Sequence, residues 1–173
     1  MACLVVVGRT ILAIPALRSR QLPEMSIEIR LASIRHIDDL LPLVAAFHAS
    51  EGTELDEASR RNSIAGLLIE PDHGPVWMIH DEGRLAGYIA ICYGYSIEFG
   101  GRDGFIDEFY LAEAFRGKGT GRKVLQLVLA KLKEDGVRAL HLEVARDNPG
   151  ARKLYESEGF RMRDKYHLMS LVL

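Results

Sequence analysis

The chain is poor in the features that mark several protein classes. It has two cysteines, Cys3 and Cys92. Without metal spacing or a disulfide framework, they fit a reducing compartment, and Cys92, inside a strand-like run, reads as a small buried hydrophobe. No long uninterrupted apolar run occurs. The most apolar stretch, near the start, is broken by Arg9 and Pro15, which leaves it too interrupted to span a membrane. It also lacks the charged start and clean apolar block of a secretory signal. Charge of one sign is not in excess: 22 Lys and Arg face 24 Asp and Glu, a formal net charge of −2. Such a balance gives no basic face for nucleic acid. Repeats and low-complexity segments are missing too. These absences point to a cytoplasmic protein with neither membrane nor nucleic acid as partner. No cluster of His and Cys has metal-ligand spacing, so no metal is expected.

What is present fits one domain. At 173 residues a single core buries roughly 70% of the unfolded surface. Residues 1–24 read as an N-terminal extension outside the core, with a faint organelle-transit flavour from Arg9, Arg18, Ser19 and Arg20, and Met25 opens the domain 25–173. Ile27, Ile29 and Leu31 alternate with Glu28 and Arg30, the period of a half-buried strand. Helices are expected from Asp38 to about Ser50 and from Asp56 to Glu70. Strands follow at Val76–His80, Leu85–Tyr95 and Phe105–Leu111, the first two joined by a hairpin turn at 81–84. Val124, Leu125, Val128, Leu129 and Leu132 then form a helical stripe ended by Gly136. Val137–Ala145 reads as a fifth strand, Asn148-Pro149 as the start of a short helix, and Phe160–Val172 as the final strand or strands. His141 and His167 are expected to be ordinary strand residues. The order is that of a mixed α/β domain.

One segment asks for an anion. Arg116-Gly117-Lys118-Gly119-Thr120-Gly121-Arg122-Lys123 lies between a strand and a helix. Its alternating glycines let the backbone turn tightly and present N–H groups to one point, at a helix start whose partial positive charge favours phosphate. Four cationic side chains add to that field. The Walker pattern fails because Arg122 stands where Gly is needed. The dinucleotide pattern fails from both Gly117 and Gly119. A glycine-rich turn with solvated basic residues is the plain alternative.

Here the sequence resembles the GNAT superfamily of N-acetyltransferases. Arg116, Gly119 and Gly121 match its Arg/Gln-x-x-Gly-x-Gly/Ala hallmark. Asn148, Tyr155, Gly159 and Phe160 match its second hallmark, an Asn-containing turn, a helix with Tyr, then Gly-Phe. The resemblance covers Ser26–Leu173. It implies a mostly antiparallel central sheet flanked by helices, with parallel strands four and five splayed apart around the pantetheine arm of acetyl-CoA. The pyrophosphate would be held by Arg116, Gly117, Lys118, Gly119, Thr120, Gly121 and Arg122. Phe109, Tyr110 and Leu111 would pair with pantetheine like an added strand, and Asn148 and Tyr155 would border the cofactor.

Amine acetylation needs a carboxylate to receive the ammonium proton, donors for the developing oxyanion, and an acid for the leaving thiolate. Tyr155 takes the role of that acid in the resemblance; otherwise it is an aromatic on a core face. Asp107 and Glu108 stand inside the apolar run Phe105–Leu111, where burial is costly unless the acids are paired or used. Neighbours in a strand face opposite sides, so only one can look into a given pocket unless a bulge intervenes. The run looks like the paired-acid strand of polyamine acetyltransferases, whose acids bind the amine and relay its proton; a salt bridge is the alternative. Glu143 resembles the base position of ribosomal-protein N-terminal acetyltransferases, or is a solvated strand end. His48 and Glu51, with Glu54 and Asp56, fall at the helix junction that borders the acceptor pocket in this family, or form a charged loop.

No Ser or Cys suggests a covalent acetyl-enzyme, so direct attack in a ternary complex is expected. The acceptor reads as a small cationic amine of polyamine, diamine or aminoglycoside-like type. A peptide or protein N-terminus is the second choice, and a non-catalytic acyl-CoA sensor is the reading from another class. A homodimer is expected from the resemblance.

Overall fold

The computed structural model describes residues 27–172, so the expected extension over 1–24 lies outside the described residues. Five strands form one sheet in the order β1-β2-β3-β4-β5. These are β1 Ile27–Leu31, β2 Val76–Asp81, β3 Arg84–Ser96, β4 Gly101–Leu111 and β5 Ala139–Leu142. The first four pair antiparallel, whereas β4 and β5 run parallel. The helices are α1 Ile37–Glu51, α2 Glu57–Ile69, α3 Thr120–Glu134 and α4 Pro149–Ser157. This is the mixed α/β, GNAT-like architecture that the sequence implied.

Local chemistry sets the element ends. Glu82 and Gly83, both at positive φ (50° and 77°), make the tight β2–β3 turn, the conformation whose twist suits a hairpin. Asp56 caps α2 by accepting the Ser59 N–H at 2.8 Å. Gly52, at φ 71°, closes α1 with its N–H on the His48 carbonyl, the left-handed stop that glycine permits.

Side-chain alternation sorts the sheet into two faces. Trp77, Ile79, Ile89, Ile91 and Ile106 pack in one cluster with Val124, Leu125, Val128 and Leu132 of α3. Val76, Met78, Tyr88 and Ala90 pack in the other with Leu40 and Val44 of α1. Both faces of β2 and β3 are therefore covered, which explains their nearly continuous apolar runs.

Three boundaries differ from the sequence reading. β4 begins at Gly101, four residues before the expected Phe105, because Gly101 and Gly104 join the ladder with Ser96 and Tyr93 of β3. β5 is shorter than Val137–Ala145, so Glu143 and Val144 fall just beyond it. Phe160–Val172 forms no strand. A turn at Asp164 and Lys165, with the Tyr166 N–H donating to the Arg163 carbonyl at 3.1 Å, breaks the run. Arg163 instead reaches Glu98 at 3.1 Å and stacks over Tyr166 at 4.7 Å, drawing the segment toward the β3–β4 turn. His167 is consequently not a strand residue, while His141 lies in β5, 3.6 Å from Asp103.

Gly74, at φ 131°, enters β2 so close to β3 that an added Cβ would stand 1.9 Å from the Ile91 carbonyl oxygen. Gly74→Ala is expected to lower unfolding free energy by about 2 kcal/mol or more in urea titration; wild-type stability would contradict this close approach.

Candidate active site

The site begins with an irregularity in β4. Ala90 faces Glu108 across the β3–β4 ladder, but the next residue, Ile91, faces Ile106. Asp107 is the extra residue, a β-bulge that disrupts the ladder and resets the alternation of side chains. Ile106 belongs to the α3-side core, so plain alternation would send Asp107 to the α1/α2 side and Glu108 back into the apolar core. With the bulge, both acids line one cavity of about 100 Å³ on the α1/α2 side, together with His48, Arg60, Ser63 and Tyr88.

The two acids are treated differently. Glu108 Oε1 lies 2.7 Å from His48 Nε2, and its Oε2 accepts the Tyr88 hydroxyl. Arg60 Nε donates, at a long 3.4 Å, to His48 Nδ1, and its Nη2 donates to the Leu55 carbonyl at 2.7 Å. Arginine has no acceptor, so this geometry assigns the acceptor role to Nδ1 and leaves Nε2–H to donate to Glu108. Burial, then the Glu108 charge, pushes the Tyr88 phenol far up and keeps it a donor. Asp107, by contrast, makes no hydrogen bond or ion pair among the described residues. It keeps a solvent-exposed rim position, yet burial first and the Glu108 charge second raise its carboxyl above the ordinary value, with His48 acting the other way.

The strands part at the same place. β4 and β5 pair only from Asp103↔Ala139 to Ile106↔Leu142. Past that point β4 runs on to Leu111 with its β5-side edge free, through Phe109 and Tyr110. The loop 116–119 follows and leads into α3. The first α-helical hydrogen bond there joins Lys123 N–H to Gly119 O at 3.1 Å, so the N–H groups of Thr120, Gly121 and Arg122 have no acceptor inside the helix. Gly117 and Gly119, at φ 73° and 86°, have nothing within 4 Å of where a Cβ would stand. The Thr120 hydroxyl is buried without a hydrogen-bond partner among the described residues. An open, left-handed backbone with free donors at a helix start fits a pyrophosphate. The cations contribute less freely than their number implies. Arg116 Nε is tied to the Leu111 carbonyl at 2.6 Å, Lys118 Nζ to the Ala114 carbonyl at 2.9 Å, and Arg122 stands 3.3 Å from Glu158.

The other sequence candidates are scattered. Tyr155 on α4 packs edge-on against Phe160 with ring centroids 5.7 Å apart, and burial pushes its phenol up to about 12. It lines a separate cavity of about 960 Å³ beside β5 and the C-terminal segment, away from the two acids. Asn148 caps α4 by accepting the Ala151 N–H at 3.0 Å. Glu143 and Glu51 are exposed, and neither lines the acid pocket. His48 does join Asp107 and Glu108.

The model of the Acetyltransferase (GNAT) family matches residues 37–160, from the start of α1 past the end of α4. The chain belongs to the GNAT acetyltransferase family. An uncharacterized N-acetyltransferase of Bacillus subtilis (strain 168), YycN, is 33% identical over 97 residues, a match that spans 56% of this chain and 61% of that protein. A second N-acetyltransferase, from Archaeoglobus fulgidus, is 27% identical over 78% of this chain and 92% of its own length. Among solved structures, integron cassette protein HFX_CASS3 from the Cole Harbour Salt Marsh metagenome is 31% identical, covers 84% of this chain and 90% of its own, and superposes with a TM-score of 0.74. A predicted acetyltransferase of Clostridium acetobutylicum solved with acetyl-CoA shares 18% identity over 83% of this chain and 96% of its own, with a TM-score of 0.68, a likeness of GNAT fold alone.

Within the acid pocket, sequence reasoning missed Tyr88 and Arg60. Tyr88 hides in an apolar run as a core aromatic, and Arg60 looks like a surface cation of α2. Only the unexplained acids of β4 signalled that partners were needed. Because the Asp107 carboxyl is raised in the folded state, its protonated form is favoured by folding. The stability it contributes is present below the ordinary carboxylate pKa and is lost as pH rises through the raised one. Asp107→Asn is therefore expected to be more stable than wild type at pH 7, with the gap closing near pH 3.5. Urea titrations at both pH values check this, and a variant less stable at pH 7 would contradict it.

Proposed function

We propose that the chain is an acetyl-CoA-dependent N-acetyltransferase acting on the primary amine of a small cationic acceptor, with Asp107 as the group that takes the amine's proton. The observation that carries this reading is the bulge: it supplies one cavity with two carboxylates, of which Glu108 has both oxygens engaged and Asp107 has neither. Glu108 is the fixed negative charge that draws a cation in. Asp107 is free to accept a proton, and its raised carboxyl brings it nearer to the basicity that general-base work requires.

Bound acetyl-CoA supplies the activated thioester, and the N–H groups at the start of α3 are the donors that fit its pyrophosphate. Beyond its pairing with β5, the edge of β4 at Phe109 and Tyr110 and the Leu111 N–H offer backbone groups to an extended arm and a donor toward a developing oxyanion, while the Leu111 carbonyl is held by Arg116. Tyr155 is the hydrogen-bond donor for the departing sulfur. With its phenol at about 12, above the ~8.5 of an ordinary thiol, it stays protonated and stabilises the charge that builds on sulfur, and the released thiolate takes its proton from solvent. Its place outside the acid pocket agrees with two separate tasks, one at the amine and one at the leaving group. The peptide N-terminus reading, which rested on Glu143 and Asn148, draws no support from an exposed Glu143 and a helix-capping Asn148.

Thiol release from acetyl-CoA with small amines is the test. Asp107→Asn is expected to lower kcat by roughly 10²–10⁴, the usual worth of a positioned base, while acetyl-CoA still binds. Tyr155→Phe is expected to lower kcat less. Glu108→Gln removes the negative neighbour that raises Asp107, so the acidic limb of the kcat–pH profile is expected to move to lower pH. An Asp107→Asn enzyme with wild-type kcat would contradict the assignment.

A further inference from the structure

We infer that Glu158 is a positioning residue for Tyr155, tying the end of α4 to the first turns of α3 beside the loop that fits the pyrophosphate. This rests on the reading of Tyr155 as the hydrogen-bond donor to the departing sulfur.

A helix as short as α4 does not hold its place by itself. It has nine residues, none of them buried, and an isolated helix of under about 12 residues is marginal in water. Asn148 caps its start, which orders the turns without fixing where they sit. Contacts beyond the helix do that. Leu154, Tyr155 and Phe160 pack against the α3-side core. Leu154 comes so near the loop that a Cβ on Gly121 would stand 3.3 Å from its Cδ2. The polar contact is Glu158. Its Oε1 lies 3.3 Å from Arg122 Nε and accepts from Gln126 Nε2 at 3.3 Å. Arg122 and Gln126 stand four apart in sequence, so both belong to one face of α3.

Glu158 bears directly on Tyr155. Its N–H donates to the Tyr155 carbonyl at 3.0 Å, and the Phe160 N–H donates to the same oxygen at 3.1 Å. The side chain that grips α3 is thus one hydrogen bond from the backbone of Tyr155. That side chain is only 12% exposed, whereas Arg122 is 56% exposed, and a carboxylate so covered needs its partners. Negative charge beside a helix start that suits pyrophosphate works against the anion, so Glu158 is misplaced for drawing the cofactor in. For joining α4 to α3 it supplies the acceptor that the two donors require.

The thiol of bound CoA tests this without an acceptor amine, since its thiolate is followed by ultraviolet absorbance as pH rises. A hydrogen bond from Tyr155 favours the thiolate, so Tyr155→Phe is expected to raise the pH at which bound CoA ionises by roughly half a pH unit or more. Glu158→Ala is expected to raise it too, by a smaller amount, and to add no rise in the Tyr155→Phe background, with circular dichroism showing each variant folded. The direction separates positioning from charge, because removing a nearby carboxylate without moving Tyr155 would lower that pH. A fall or no change in Glu158→Ala, or an equal rise in the Tyr155→Phe background, overturns the inference and leaves the reading of Tyr155 standing. No rise in Tyr155→Phe itself would overturn that reading, and the inference with it. Glu158→Gln keeps an oxygen for Gln126 while dropping the charge, and is expected to titrate at or below wild type. A rise equal to that of Glu158→Ala would contradict a tie made through that oxygen.

Discussion

The extra residue at Asp107 decides which way every later side chain of β4 faces, because strand side chains alternate and one insertion reverses the parity. Ile106 packs toward α3 and Tyr110 toward α1 and α2. Without the bulge, Glu108 would point into a cluster of isoleucines and valines, where an unpaired carboxylate is untenable. With it, Glu108 faces Tyr88 and His48, and Asp107 opens onto the same cavity. The bulge also falls one residue past the last β4–β5 pair at Ile106, so the change in facing and the parting of the strands begin together.

Charge at the site follows from that arrangement. Two carboxylates in one small pocket repel, and the structure relieves this by giving one of them all the donors. Tyr88, buried and held as a phenol, and His48, oriented by Arg60, both spend their hydrogen bonds on Glu108. The second acid is left with desolvation and a negative neighbour, both of which raise its carboxyl. Two like groups are thus placed in unlike surroundings, the kind of difference by which environment separates carboxylates. The same cavity is also lined by Leu40, Val44, Ile64, Leu67, Val76 and Ala90, so charge and hydrocarbon share one small space.

Much of this was legible in the residues. The stripe from Val124 to Leu132 and the Asn148-Pro149 cap follow from local chemistry, and each forms as read; the glycines of 116–122 make the expected turn into a helix. Adjacent acids in Phe105–Leu111 signalled that partners were needed, and the structure brings both into one cavity. The bulge was not legible, since a one-residue insertion depends on the register of β3, which no local pattern records. Tyr88 and Arg60 were missed for a related reason: their roles come from partners 20 and 12 residues away. Where a strand was expected after Phe160, the chain turns at Asp164 and Lys165, and Arg163 reaches Glu98.

The most direct test of the account is a carboxyl-carbon NMR titration of Asp107 in the free protein, followed from pH 3 to pH 8 beside the Glu108→Gln variant. The account expects the wild-type carboxyl to titrate above the ordinary value near 3.8 and to move down when Glu108 loses its charge. A wild-type Asp107 that titrates at or below that value, unmoved by Glu108→Gln, would contradict a shared pocket and the role of Asp107 as proton acceptor.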